Sequence, residues 1–543
     1  MSNACFRLQP PSNEPVLTYA PGTPERKAIA GKIEELRQGH VEIPLIIGGK
    51  AVRTGRTAPL VIPHDHRHFL GIFHNAGLEQ IEMAVTAARR AAAGWAEMPW
   101  EARVAVFRRA AELIAGPYRM LINAATVLGQ SKNLLQAEID AACEMIDFLR
   151  FNTYFSQRIL SEQPLSGEAE WNRIEYRPLE GFVYAVSPFN FTAIGGNLAS
   201  APAMLGNTVL WKPASNAVYS AYFLMQIFQE AGLPDGVINF IPGSGSEVGL
   251  QPLESPELAG VHFTGSTAVF KRIWKTVGRN LDQYRTYPRI VGETGGKDFI
   301  FLHRSADLEA AVAAAVRGAF EYQGQKCSAA SRLYVPQSLW ETFRKRLIDA
   351  LALVRTGSPE DFSNFVNAVI DSRAYHKIVD YIEQARQDEA AEIIAGGTYD
   401  DRVGYFITPT VIVAHKPDYR TMQEEIFGPL LTIYVYADDQ YEETLHLCDR
   451  TSPYALTGAI FANERQAITK AGEILRHAAG NFYINDKPTG AVVGRQPFGG
   501  GRASGTNDKA GSVLNLYRWL SPRTIKENFL PPKDFRYPFM GND

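Results

Sequence analysis

The chain has 543 residues, of which 45% are hydrophobic, 21% charged and 11% aromatic, with a formal net charge of −3. So small a charge on so long a chain excludes the electrostatic footprint of a nucleic-acid binder or of a protein held on an anionic membrane surface. No run approaches the ~18 consecutive apolar residues of a membrane-spanning helix, and the length is that of about two or three domains of ordinary size.

The opening stretch "MSNACFRLQPPSNEP" lacks the apolar core of a signal peptide and the Arg/Ser-rich amphipathic pattern of a transit peptide, so the chain reads as cytoplasmic or as an already processed form, with residues 1–40 as an N-terminal arm. In "IPHDHRHFLG", His64, His66 and His68 share one face if the segment is extended. Zinc would need a fourth ligand or a carboxylate motif nearby, so a solvated strand face is expected and no metal is assigned. Residues 78–160 predict nearly continuous helix, because "LEQIEMAVTAARRAAAGWAEM", "WEARVAVFRRAAELIAG" and "EIDAACEMIDFLRFNTYF" place apolar residues at helical spacing. Then "RILSEQPLSGEAEWNRIEYRPLEG" alternates more and contains turn residues, predicting a hairpin at about 158–180 that stands off the body.

From there strands and helices alternate. Strands are predicted at 182–186, 207–213, 238–243, 259–265 and 289–296, with helices in "AVYSAYFLMQIFQEAG" and "TAVFKRIWKTVGRN". That rhythm predicts parallel βαβ units covered on both faces, whose ligands lie beyond the carboxyl ends of the strands. The glycines of "IPGSGSEVG" approach the dinucleotide-binding spacing but miss it by one residue, and a tight turn explains them equally well. A second alternating set starts at 298–303, continues through the helix "DLEAAVAAAVRGAFEY", expected to end on Gly324, and the strand "SRLYVP", and runs to about 482. The fold class is therefore α/β with two parallel-sheet units, 41–295 and 296–482, and a segment 483–543 ending in a Pro-rich tail.

The four cysteines, Cys5, Cys143, Cys327 and Cys448, form no C-x-x-C pair, so neither a metal knuckle nor a disulfide scaffold is expected. Cys327 sits in "GQKCSAA", on a connector between a helix and a strand. Taken singly, it is a structural thiol, Asn190 in "VSPFNFTAIGGN" is a turn residue and Glu293 in "VGETGGKD" is an exposed carboxylate. Taken together they suit one task. A thiolate adds to a carbonyl carbon, an Asn amide and a backbone N–H hold the oxyanion, and a carboxylate activates water against the thioester.

Six ordered blocks, "FNFTAIGGNLASAPAMLGNTVLWKPAS", "GVHFTGSTAVFK", "VGETGGKD", "GQKCSAASRLYVP", "EEIFGPLLTIYVY" and "PFGGGRASGTND", resemble the aldehyde dehydrogenase superfamily over roughly residues 40 to 525. The resemblance implies two Rossmann-like domains, the first (41–295) binding NAD and the second (296–482) catalytic, with 483–543 returning to the cofactor domain. It implies Cys327 as nucleophile, Glu293 as the base for deacylation, and Asn190 with the Cys327 amide as the oxyanion site. On the cofactor side it implies Ser187, Lys212, Gly265, Ser266 and Glu425; Ser215 stands where many members carry an acidic residue that binds the ribose. Within the superfamily, "SPFNFTAIGGN", "FEYQGQKCSAASRLYVP", "NFYINDKPTGAVVGRQPFGG" and "ASGTNDKAG" resemble the branch that oxidises glutamate γ-semialdehyde to glutamate in proline degradation. That implies a carboxylate cradle from Ser328, Gly490 and Ala491, an aldehyde passage walled by Phe191 and Phe498, and Glu138 near the aldehyde or ammonium end unless it is simply an exposed helix carboxylate. It also implies a homodimer or larger oligomer joined through the hairpin and the tail, and a separate proline dehydrogenase as the upstream partner. Two other readings are kept: a dehydrogenase of another acidic semialdehyde such as succinic semialdehyde, and a nucleotide-independent cysteine hydrolase, which would need a histidine base.

Overall fold

A computed structural model describes residues 6–541, which leaves Cys5 outside the described residues. Two seven-stranded sheets organise it. The first has the spatial order Arg289–Glu293, Leu258–Thr264, Phe182–Val186, Thr208–Lys212, Ile238–Phe240, Leu45–Ile47, Lys50–Val52, and its first five strands are parallel. The winding reverses between Phe182–Val186 and Leu258–Thr264, where an open α/β sheet offers a crevice at its carboxyl edge. The second sheet has the order Ala391–Ala395, Thr410–Ala414, Leu430–Tyr436, Ala330–Pro336, Asp298–Leu302, Thr457–Phe461, Asn481–Ile484, with only the Ala391–Ala395 edge antiparallel. Leu258–Thr264 and Thr457–Phe461 are buried along their whole length, as continuous apolar strands covered on both faces must be.

Helices Leu78–Glu97, Trp100–Ala115, Arg119–Gln130 and Glu144–Leu160 belong to the body of the first sheet, whose core includes Trp95, Phe107, Trp211 and Trp519. A π-helical turn, Glu138–Cys143, interrupts the expected run. Among the described residues no helix is long and apolar enough to cross a membrane.

Several local expectations are corrected. No hairpin forms within 158–180: the helix runs to Leu160, and strand Glu170–Pro178 pairs antiparallel with Leu520–Asn528. The alternating pattern marked a strand correctly, but its partner lies far along the chain. The helix beginning at Leu308 ends at Phe320 instead of Gly324, for reasons given below. No α-helix follows the glycines of 243–249: residues 245–250 are turns, and after them comes only the short 3-10 helix Gln251–Glu254. The three histidines do not share a solvated face. His64 is buried in the turn between strands Thr57–Ile62 and Asp65–His74, held by Ser131 Oγ at 3.2 Å and Glu360 Oε1 at 3.1 Å. His66 and His68 bond the carbonyls of Asp401 and Arg37.

The carboxyl edge of the first sheet meets the amino edge of the second. Strand Arg289–Glu293 ends at the seam, and Asp298–Leu302 begins beyond it. After the second sheet the chain returns along the same seam, where Thr294 N donates to Ser504 O and Thr506 N to Gly292 O, both at 2.9 Å.

Candidate active site

The turn that carries Cys327 is built from outside itself. Tyr322, Gln323 and Gly324 have φ of 50°, 55° and 66°, three left-handed residues in succession. Only glycine adopts this region freely, so the first two are held. The Gln323 amide donates to the carbonyls of Ser131 at 3.1 Å and Ala368 at 2.8 Å, and the Tyr322 ring lies under Lys132 Nζ at 4.4 Å. A Cβ on Gly324 would stand 2.2 Å from the Gly428 carbonyl. Gln325 is then fixed at both ends: its Oε1 accepts from Ile370 N at 2.9 Å, and its carbonyl accepts from Asn190 Nδ2 at 3.0 Å. Cys327 follows, partly buried, at the amino edge of strand Ala330–Pro336.

Glu293 reaches the same point from the end of its strand. Its Oε2 is buried without a hydrogen-bond partner. Burial pushes its carboxyl well above the usual range, with Lys509 opposing and Asp508 reinforcing the shift. Burial likewise pushes the Cys327 thiol up, and the carboxylates of Glu293, Asp298 and Glu425 add to it, so the resting group at neutral pH is the thiol. Lys326, the adjacent cation, is committed elsewhere: it pairs with buried Glu321 at 3.2 Å, which also holds Arg317 at 2.9 Å. Among the described residues the Cys327 amide donates to no carbonyl, so it is free beside Asn190 to serve an oxyanion.

On the far side of Cys327, Ser328 Oγ shares a hydrogen bond of 2.8 Å with Thr489 Oγ1. Thr489 opens a turn in which Gly490 has φ +94°, and the amides of Gly490 and Ala491 have no acceptor among the described residues. A hydroxyl and two free amides in one place form an anion cradle. Phe191, next to Asn190, is partly buried with Lys132 Nζ 4.2 Å over its ring. Phe498 is partly buried in an isolated bridge with Ala510.

The carboxyl edge of the first sheet suits a dinucleotide. Lys212 is buried with only the Pro213 carbonyl at 3.5 Å, and desolvation pushes it down to about 8. A buried ammonium without a counter-ion fits hydroxyl or phosphate acceptors that the chain does not itself supply. Gly265 N donates to Glu293 O at 3.2 Å, and Ser266 caps helix Thr267–Arg279, whose amino end is suited to a pyrophosphate. Glu425 accepts from Gly296 N at 3.1 Å, and Gly296 itself packs against the Cys327 carbonyl. Ser187 is turned inward, its hydroxyl accepting from Trp211 Nε1 at 3.1 Å. Ser215 opens the short 3-10 turn Ser215–Ala217, and no acidic side chain replaces it there.

These residues converge on one seam, and the order of their motifs matches a known family model, described as the aldehyde dehydrogenase family, over residues 52–525. The chain belongs to the aldehyde dehydrogenase family. The delta-1-pyrroline-5-carboxylate dehydrogenase of Dictyostelium discoideum, named as mitochondrial, is 55% identical over 98% of this chain and 96% of its own length. The structure of the Mycobacterium tuberculosis delta-pyrroline-5-carboxylate dehydrogenase bound with NAD is similar with a TM-score of 0.96, at 51% identity and full coverage of both chains. Proline utilization A from Bdellovibrio bacteriovorus is similar with a TM-score of 0.90 and 31% identity, covering 96% of this chain and 53% of that longer one.

Within this aldehyde dehydrogenase one expected site residue is displaced. Glu138 is neither at the aldehyde end nor exposed. It is fully buried, ion-paired with Arg119, and accepts from Tyr19 OH at 2.7 Å, Asn123 Nδ2 at 2.6 Å and Leu17 N at 2.9 Å. It therefore ties the N-terminal arm to the helices. The π-helical turn advances another carboxylate instead: Glu144, partly buried, has a buried Oε2 without a partner, is raised by burial, and feels Lys326 and Lys132, the latter lying over the Phe191 ring. In the sequence Glu144 is one of two acids, with Asp147, within the otherwise apolar run "AACEMIDF".

Proposed function

We propose that this chain is an NAD-dependent dehydrogenase that oxidises L-glutamate γ-semialdehyde, the open form of 1-pyrroline-5-carboxylate, to L-glutamate, the second step of proline degradation. The observation that carries the reading is the Ser328–Thr489 bond beside the free Gly490 and Ala491 amides, an anion cradle directly next to the nucleophile. The names of the relatives and the NAD in the Mycobacterium structure support the same reading.

The cradle holds the substrate α-carboxylate, and Glu144 faces the ammonium. Cys327 gives its proton to solvent water, and its sulfur adds to the aldehyde carbon, forming a thiohemiacetal whose oxygen carries the negative charge. Asn190 Nδ2 and the Cys327 amide hold the oxyanion. Lys212, the Gly265–Ser266 turn and Glu425 would hold NAD, which would supply the acceptor for the hydride of this carbon. Glu293 then takes a proton from water, whose oxygen attacks the thioester carbon, and the thiolate departs as the carboxylate product forms.

NADH absorbance over a panel of pyrroline-5-carboxylate and succinic semialdehyde, with NAD and NADP side by side, tests the proposal. The ratio of kcat/KM values for the two aldehydes is the specificity. Absence of NADH formation from pyrroline-5-carboxylate overturns it, a preference for succinic semialdehyde transfers it to another acidic aldehyde, and NAD-independent turnover favours a cysteine hydrolase. The NADP arm reports what Ser215 in place of an acid does to discrimination.

Assembly as a homodimer or larger is part of the proposal. The ribbon of Glu170–Pro178 and Leu520–Asn528 is largely exposed, and Phe529, Leu530, Phe535, Tyr537 and Phe539 beyond it are 58–88% exposed, an apolar surface that a second copy would cover. Light scattering of the intact chain and of a chain ending at 528 tests this. The upstream partner is a separate proline dehydrogenase, sought by co-purification. A cytoplasmic location is tested by fractionation against the organelle named for the Dictyostelium relative.

A further inference from the structure

We propose that Lys509 is a positioning residue for Glu293: a locked cation that favours the carboxylate form of the base and fixes the backbone on which the base rests. The inference deepens the reading above and rests on Glu293 acting as the base for water.

Lys509 is immobilised. Its three ammonium hydrogens are matched by three acceptors, Gly480 O at 2.8 Å, Gly499 O at 3.0 Å and Asn481 Oδ1 at 3.3 Å. Gly480 and Gly499 are where two segments cross, so closely that a Cβ on Gly480 would stand 1.9 Å from Gly499 O. Gly499 in turn is the surface against which the base lies: a Cβ there would meet Glu293 Oε1 at 2.9 Å and Lys509 N at 3.2 Å. The ammonium thus clamps the crossing that borders the carboxyl, and its charge acts on Glu293 through space.

Aiming that side chain inward carries a backbone cost. Asn507 and Lys509 both have positive φ, 55° and 54°, in a span of three residues. Non-glycine residues stay in this region only when their surroundings over-determine them, and such strain gathers at functional sites. The surroundings are present. Gly292 N donates to Thr506 Oγ1 at 2.9 Å, Thr506 Oγ1 bonds Asp508, and Ser512 Oγ donates to Lys509 O at 2.7 Å. The charged and titratable groups that face Glu293 are Lys509, Asp508 and Cys327. Asp508 opposes Lys509 but is itself engaged by Arg518 at 3.4 Å and Thr506. Lys509 is therefore the cation left to balance the base.

Removing that charge raises the proton affinity of Glu293, so the base form is reached at higher pH and the acid limb of deacylation moves up. The test compares Lys509→Met, Lys509→Gln and Lys509→Arg with the parent enzyme, each first checked for its melting temperature. The readouts are the pH profile of kcat with saturating substrate and the amplitude of the first-turnover NADH burst. The acid limb is expected to rise by about 1 pH unit in Lys509→Met and Lys509→Gln, to return toward the parent in Lys509→Arg, and the burst is expected to stay stoichiometric in all three. A folded Met or Gln variant whose kcat falls equally at every pH, with the limb unmoved, overturns the proposal, as does an Arg variant displaced as far as the neutral ones. Glu293→Gln, run alongside, separates the two levels: full turnover there removes the base assignment itself, whereas a dead Glu293→Gln with an unmoved Lys509 limb removes only the role of Lys509.

Discussion

Asn190 donates its side-chain amide to the Gln325 carbonyl at 3.0 Å, two residues before Cys327. An Asn amide has two hydrogens. One braces the nucleophile turn, and the other is left for the oxyanion. Asn190→Ala is expected to slow the first-turnover NADH burst by about 10²–10³-fold, the usual cost of one oxyanion donor. Asn190→Asp is expected to be slower still, because it places a negative charge against the developing oxyanion. Stopped-flow absorbance measures both.

Glu293→Gln is expected to trade stability for turnover. A carboxyl whose pKa in the fold lies above its unfolded value costs stability that grows as pH rises from the unfolded value toward the raised one. Burial raises Glu293 in this way, so the Gln variant is expected to melt higher at pH 8 and equally at pH 4. Its steady-state rate falls by about 10²–10⁴-fold, leaving one NADH per site and an acyl adduct on Cys327 visible by mass spectrometry.

Lys212→Met probes the cofactor edge with the opposite sign. Desolvation brings the ammonium from 10.5 down to about 8, so its cost to the fold is complete below that pH and is relieved as pH rises through it. The ligand-free Met variant is expected to melt at the same temperature or higher at pH 7, with the difference closing above pH 10. Its NAD affinity, read by calorimetry, is expected to weaken by about 10–100-fold, the worth of a hydrogen bond from a charged donor.

Ser328→Ala separates substrate choice from chemistry. The hydroxyl bonded to Thr489 belongs to the carboxylate cradle. KM for glutamate γ-semialdehyde is expected to rise about 10-fold, while kcat/KM for an uncharged aldehyde such as propanal stays within about 2-fold.

The alternation of strand and helix was legible because strands buried on both faces read as nearly continuous apolar runs, and Phe182–Val186, "FVYAV", is one. Asn190, Glu293 and Cys327 were legible only together, because the three side-chain types suit one reaction and the blocks that carry them resemble one family in order. What the sequence did not carry was set by distant atoms. The helix from Leu308 stops at Phe320 because the carbonyls of Ser131, Ala368 and Gly428 mould the left-handed run that follows. Strand Glu170–Pro178 reads as a strand locally, but nothing local names Leu520–Asn528 as its partner. Glu138 was misplaced because Arg119 and Tyr19, which claim it, come from other segments, while the π-helical turn that advances Glu144 has no composition signature.

Only residues 294–297 separate Glu293, the last residue of a strand in one sheet, from Asp298, the first of a strand in the other. The returning chain bonds this link on both sides, through Thr294 N to Ser504 O and Thr506 N to Gly292 O. A clamshell opening at this seam would have to break a doubled splice and carry the base away from the thiol at once. The two halves therefore have no free hinge at this link, and the distance between Glu293 and Cys327 is held by the same backbone bonds that join the sheets.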